Sequence, residues 1–412
     1  VTKDPVAGHR TGVPAPLGVL DLVPVTSGAG PETAVARAQD LARATEAQGY
    51  SRYWFAEHHL NPGVAGTSPA LMIALVASAT SSIRLGSGGV QSGHRTALSV
   101  VEEFGLLDAA HPGRIDLGIG RSGGRDYLRD RLARLSSDGP GRSGAGRPAK
   151  PEAHRTANGL LIPARPSLRG LAGSPRLQLT TELLQQAGAE TPGYGDLVGD
   201  ILALLAGTYR SAEGVDARPV PGAGAAVEVW VLGSSAGESA QVAGRHGLRF
   251  AANYHVSPAT VLEATEAYRA AFVPSAGLDR PYVAVSADVV VGPDDEAARE
   301  LATGFGLWVL SVRRGQGAIP FPSPAEARRH RWSEEDRALV KDRVDTQFVG
   351  SPETVVAQLE QLRQATEADE VLVTTITHDH RDRVRSYGLL AERWFAGAGS
   401  PVAPARPAEV PR

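Results

Sequence analysis

Five short stretches of the 412-residue chain carry residue types that could do chemistry. Glu57-His58-His59 joins a carboxylate to two imidazoles. A neutral histidine can hydrogen-bond a ligand or shuttle a proton near neutral pH, and His58 and His59 are read in that way. The alternative is a metal, but adjacent residues on an extended strand point to opposite faces, so both histidines do not readily chelate one ion. No metal is expected. Gly233-Ser234-Ser235 lies between an apolar run and a helical pattern. Small residues let backbone amides close on an anion, hydroxyls donate, and the helix start adds positive potential, which together make a phosphate cradle. The same residues also cap helices for structural reasons. Arg121, at the end of Gly118-Ile119-Gly120-Arg121, could supply the counter-charge or make a surface ion pair. Gly86-Ser87-Gly88-Gly89 removes side chains where a flat ligand could lie on the backbone, or marks a bulge or tight bend. Asn253-Tyr254-His255 completes the set.

Other chemistries are excluded by what the sequence lacks. With no cysteine, disulfides, thiolate catalysis and zinc–sulfur sites are ruled out. No Gly-x-x-x-x-Gly-Lys-Ser/Thr loop is present, which argues against a nucleotide triphosphatase. Gly118-x-Gly120-x-x-Gly123 matches the dinucleotide fingerprint literally, but no acidic-ended second strand follows in a compact unit, so it is discounted. A net charge of −3 gives no general case for nucleic acid or membrane binding. No basic segment followed by a long apolar run occurs, so the expectation is a cytoplasmic protein.

The five stretches share a setting, since each follows a short apolar run and precedes a helical pattern. Strands are expected over 17–25, 53–56, 83–90, 114–119, 227–232, 248–252, 282–291 and 370–375. Helices are expected between them, over 31–48, 70–80, 98–110, 195–209, 238–246, 257–272, 294–312, 351–362 and 381–395. About eight strands, each followed by a helix, predict an α/β fold, a (β/α)₈ TIM barrel, with the active site at the C-terminal ends of the strands. The barrel is expected over 17–396, with a loose N-terminus over 1–16 and a Pro/Ala-rich disordered tail over 397–412. After the fourth strand the alternation breaks. Residues 126–192 are rich in Gly, Pro, Ser and Arg and are read as an insertion, either a lid or a disordered spacer.

Three long segments resemble the bacterial luciferase-like flavin monooxygenases. They are Ser51-Arg52-Tyr53-Trp54-Phe55-Ala56-Glu57-His58-His59, Ile83-Arg84-Leu85-Gly86-Ser87-Gly88-Gly89-Val90, and His111-Pro112-Gly113-Arg114-Ile115-Asp116-Leu117-Gly118-Ile119-Gly120-Arg121. Val231-Leu232-Gly233-Ser234-Ser235, Gly247-Leu248-Arg249-Phe250-Ala251 and Phe348-Val349-Gly350-Ser351-Pro352-Glu353 follow in the family's order. The resemblance implies a barrel that binds FMN, usually as a homodimer, and takes reduced FMN from a separate flavin reductase. Reduced FMN would react with O₂ to give a C4a-peroxide that oxygenates a small organic or natural-product substrate. His58 would aid that chemistry. Gly88 and Gly89 would lie against the isoalloxazine, sometimes through a non-proline cis peptide. Arg121, Gly233, Ser234 and Ser235 would hold the phosphate. A deazaflavin-dependent dehydrogenase on the same barrel, or a non-catalytic flavin-binding protein, are the alternatives. Close relatives tend to run Met-Leu-Pro-Asn-His-Ser-Pro after the glycine pair, whereas this chain has Gln91-Ser92-Gly93-His94-Arg95-Thr96-Ala97. That wall is expected to face flavin or substrate, and to carry this protein's specificity.

Overall fold

A computed structural model describes residues 14–121, 152–166 and 174–396. Eight strands form the barrel: β1 (Leu17–Asp21), β2 (Arg52–Phe55), β3 (Arg84–Ser87), β4 (Ile115–Gly120), β5 (Glu228–Gly233), β6 (Arg249–Asn253), β7 (Val283–Val291) and β8 (Glu370–Thr374). Neighbouring strands all pair in parallel, β8 joins β1, and β4 joins β5, so the sheet closes on itself. Helices between the strands cover the outside. They include α1 (Pro31–Ala47), α2 (Pro69–Ala77), α3 (Ala97–Ala110), α4 (Pro175–Leu184), α5 (Tyr194–Leu205), α6 (Glu238–Arg245) and α7 (Val261–Ala271). The expected (β/α)₈ barrel is therefore the fold.

The register sorts side chains into layers along the barrel axis, because alternate residues of each strand face inward. The lowest layer is ionic. Arg52 reaches Glu370 at 2.6 Å, Asp116 at 2.5 Å and Glu228 at 3.2 Å, and Arg84 reaches Asp116 at 2.6 Å. The indole nitrogens of Trp54 and Trp230 donate to Asp116 and Glu228. The next layer is apolar, with Leu20, Trp54, Trp230, Ala251, Ala284 and Leu372 in one buried cluster. This arrangement closes the N-terminal end with stabilising contacts and leaves chemistry to the C-terminal end.

Several sequence readings change in detail. The strand expected over 83–90 is two pieces: β3 stops at Ser87, the Gly88–Gly89 peptide is cis, and Val90–Gln91 resumes pairing with β4. The single helix expected over 294–312 is divided into α8 (Asp295–Leu301) and α9 (Phe305–Arg313) by a 3₁₀ turn. Gly304 lies in that turn, where a Cβ would sit 2.7 Å from the Pro322 carbonyl, so another backbone is packed against the break. The connector after α9 carries α10 (Pro324–Arg329) and α11 (Glu334–Val344), then α12 (Pro352–Thr366) and α13 (His380–Phe395) complete the chain. Phe305, Trp308, Val309, Phe321 and Val340 join the barrel-lining cluster, so this connector roofs part of the barrel.

The described parts of the 126–192 insertion are docked. His154–Arg155 and Leu161–Ile162 pair as a hairpin, and Leu160 and Ile162 are buried. Tyr254 donates to the Leu161 carbonyl at 2.6 Å, and Asn158 to the Gln361 carbonyl at 2.9 Å. The expected tail over 397–412 and most of the expected N-terminal segment lie outside the described residues.

Candidate active site

Inward positions at the C-terminal strand ends carry the polar groups. His58 follows β2, Gly88 follows β3, Ser234 follows β5, Asn253 ends β6 with His255 beyond it, Ser286 and Asp288 lie on β7, and Thr374 ends β8. Three of their polar atoms, His58 Nδ1, Asn253 Oδ1 and Thr374 Oγ1, are shut off from solvent and have no hydrogen-bond partner. A buried polar atom left unpaired costs about 1–3 kcal/mol, so three at the C-terminal strand ends make this the candidate ligand site. Asn253 and His255 belong to a stretch already singled out in the sequence, whereas Thr374 and Ser286 carry no sequence signal of their own.

Burial lowers the His58 imidazole to about 4; His59 adds to the shift and Glu57 opposes it. His255 is lowered to about 3 by burial, then by Arg343 and His58. Its Nδ1 lies 2.7 Å from Ser286 Oγ. Arg343 pairs with Asp288 at 2.8 Å. Both imidazoles are therefore neutral at pH 7, each with one N–H to donate and one nitrogen lone pair to accept a hydrogen bond.

The glycine wall is set by packing. A Cβ on Gly88 would meet Leu20 Cδ1 at 2.5 Å, and one on Gly89 would meet the Gly118 carbonyl oxygen at 2.7 Å. Only glycine lets the two strands approach this closely while leaving bare backbone at the mouth. Next to it, Glu57 is fully buried at its side chain. It accepts the Gln91 amide at 2.9 Å through Oε2, and faces His59 Nε2 at 2.9 Å and His94 Nε2 at 3.0 Å through Oε1. Burial alone would raise the Glu57 carboxyl, but the hydrogen bonds from His59, His94 and Gln91 outweigh it and hold it at about 2. Gln91 and His94 thus turn toward Glu57.

Arg121 pairs with Glu238 at 2.8 Å, at the first residue of α6. Ser234 and Ser235 are exposed in the loop before that helix, and the Ser234 carbonyl accepts Thr260 Oγ1 at 2.5 Å. Tyr194, the first residue of α5, donates to the Ile119 carbonyl at 3.0 Å and interacts with Ser239; burial pushes its phenol up. Arg121, Ser234, Ser235 and Gly233 therefore occupy adjacent ends of β4 and β5, which pair directly. Tyr194 and Ser239 join them, and nothing in the spacing of Tyr194 announces it.

The profile of luciferase-like monooxygenases matches residues 16–130 and 197–369. The chain belongs to the luciferase-like monooxygenase family. It is 35% identical to an uncharacterised protein of Bacillus subtilis (strain 168), YvbT, over 92% of this chain and 96% of that one. It is 30% identical to the luciferase-like monooxygenase of Escherichia coli (strain K12), over 90% of this chain and 94% of that one. The crystal structure of apo-MsnO8 matches with a TM-score of 0.69 and 29% identity, covering 92% of this chain and 98% of that one. Among the described residues, no helix is long and apolar enough to cross a membrane.

Proposed function

We propose that this chain is a flavin-dependent monooxygenase that uses reduced FMN and O₂ to oxygenate a small organic substrate. The observation that carries this reading is the trio of unpaired buried polar atoms, His58 Nδ1, Asn253 Oδ1 and Thr374 Oγ1, at the mouth of a luciferase-like barrel. The residues fit FMN at both ends. Gly88 and Gly89 offer a flat backbone surface without side chains, suited to an aromatic ring system. Arg121, Ser234 and Ser235, with the start of α6, offer a cation, hydroxyls and backbone amides for a phosphate.

When bound, reduced FMN would supply the electrons that activate O₂. The chain's own part is to hold the ring against Gly88–Gly89, to anchor the phosphate at Arg121, and to roof the mouth with the 305–344 connector so that water is kept out. His58, neutral and enclosed, holds or moves a proton at Nδ1 beside the ring. Reduced flavin would come from a separate reductase, and the working location would be the cytoplasm. A homodimer would cover the apolar face of two adjacent helices, where Leu71 and Leu75 of α2 and Leu98 and Leu106 of α3 are 46–67% exposed.

The test is oxygen uptake by purified protein supplied with reduced FMN and a flavin reductase. Faster oxidation with protein than without is the expected result; no difference defeats the proposal. Absorbance of the copurified cofactor separates FMN from a deazaflavin. A deazaflavin spectrum without oxygen uptake would make the protein a hydride-transfer dehydrogenase instead.

A further inference from the structure

We propose that Glu57, His59 and His94 form a binding site for one divalent transition-metal cation of the zinc type. This inference stands apart from the flavin reading, since it uses different atoms and requires no cofactor. His59 Nε2 meets Glu57 Oε1, whereas His58 Nδ1 is buried without a hydrogen-bond partner. Glu57 and His59 are two apart, so they share a side of the strand end. His94 reaches the same point from the 3₁₀ turn Ser92–His94, beyond the glycine pair.

The geometry is convergent. One donor atom from each residue lies within 4.8 Å of the other two. His59 Nε2 and His94 Nε2 stand 2.9 Å and 3.0 Å from the same oxygen, Glu57 Oε1. An ion held at about 2.0–2.2 Å by a tetrahedral donor set needs donors roughly 3.3 Å apart, so small side-chain adjustments open the space. The side chains are 0%, 17% and 7% exposed for Glu57, His59 and His94, which leaves the His59 side for a water ligand.

The surroundings suit ligation. Glu57 Oε2 accepts the Gln91 amide, and the Gln91 side chain donates to the Glu57 carbonyl at 2.7 Å, so the carboxylate is held in place by outer partners. The two imidazole rings stand edge to face, 5.3 Å apart and 86° between planes. Without an ion His94 Nε2 donates to Glu57 Oε1; ligation through Nε2 moves that proton to Nδ1, which is buried and has no hydrogen-bond partner among the described residues. Two imidazoles and one carboxylate favour Zn²⁺, Co²⁺ or Fe²⁺ over Mg²⁺ or Ca²⁺, which prefer all-oxygen sets. A bound ion would tie the end of β2 to the loop after β3.

Full-length, tag-free protein stripped with a chelator and titrated with Zn²⁺ by calorimetry tests the site. We expect one ion per chain, no binding of Mg²⁺ at the same concentration, and a dissociation constant raised at least about tenfold by His94→Asn and by Glu57→Gln. His59→Asn, at the partly exposed position, gives a third variant if either of those fails to fold. No saturable binding of Zn²⁺, or binding that the folded variants leave unchanged, overturns the proposal. Flavin binding is measured in the same samples, so loss of the metal site and failure of the flavin reading give separate results.

Discussion

The ion pair between Arg121 and Glu238 makes the phosphate assignment quantitatively testable. If the flavin phosphate binds beside Arg121, a dianion enters a site where a carboxylate already holds the guanidinium at 2.8 Å. The two substitutions must then act in opposite directions. Two unit charges 4 Å apart interact by about 1 kcal/mol in water and about 4 kcal/mol at an effective dielectric of 20. Arg121 and Glu238 are 29% and 41% exposed at their side chains, which places this pair nearer the weaker limit. Removing the cation in Arg121→Met should therefore cost about 1–2 kcal/mol of FMN binding, or roughly 5–30-fold in Kd. Glu238→Gln should tighten binding by about threefold or more, because it removes repulsion of the phosphate and releases Arg121. The assay is quenching of FMN fluorescence at about 0.01 M and about 1 M salt, where the Debye length falls from roughly 30 Å to 3 Å. Both effects should shrink at high salt. A Kd for Arg121→Met within about twofold of wild type at low salt would refute the reasoning and move the phosphate away from the β4 and β5 ends.

His58→Ala should bind FMN with nearly unchanged affinity while the stopped-flow course of reduced-FMN oxidation, or product formation once a substrate is known, changes by about 10²-fold or more; an unaltered course removes His58 from the chemistry. Gly89→Ala places a methyl group 2.7 Å from the Gly118 carbonyl oxygen and 2.9 Å from its carbon, so urea unfolding should show a loss of about 1–3 kcal/mol. Stability equal to wild type would mean the two strands separate without cost. Leu71→Glu combined with Leu106→Glu should convert a dimer to a monomer in sedimentation velocity with circular dichroism unchanged. A dimer that persists places the interface elsewhere.

The residues that sequence reasoning found and those it missed differ in a physical way. Barrel strands announce themselves because each is a short apolar run ending in glycine or a polar group, and those signals are local. The loop proposed for the phosphate was legible as a loop for the same reason, since Gly233-Ser234-Ser235 is contiguous. Tyr194, Ser286 and Thr374 were not legible, because each matters only through where the closed barrel places it. The same holds for the strand Phe348–Gly350, whose three residues are too few to show a period and are defined by pairing with β7. The loop 91–97 shows the limit most clearly. Its departure from the family's usual residues led to the expectation of a wall facing flavin or substrate. In the fold, the Gln91 amide and His94 Nε2 instead meet Glu57, and Arg95 pairs with Glu103 at 2.7 Å. Glu57 would be a buried anion without these donors, and a buried carboxylate must be neutralised, paired or bound to a metal. The unusual loop therefore answers a need created by a carboxylate 34 residues before Gln91. In this chain the loop fixes the Glu57 carboxylate and the His59 and His94 imidazoles beside the glycine pair.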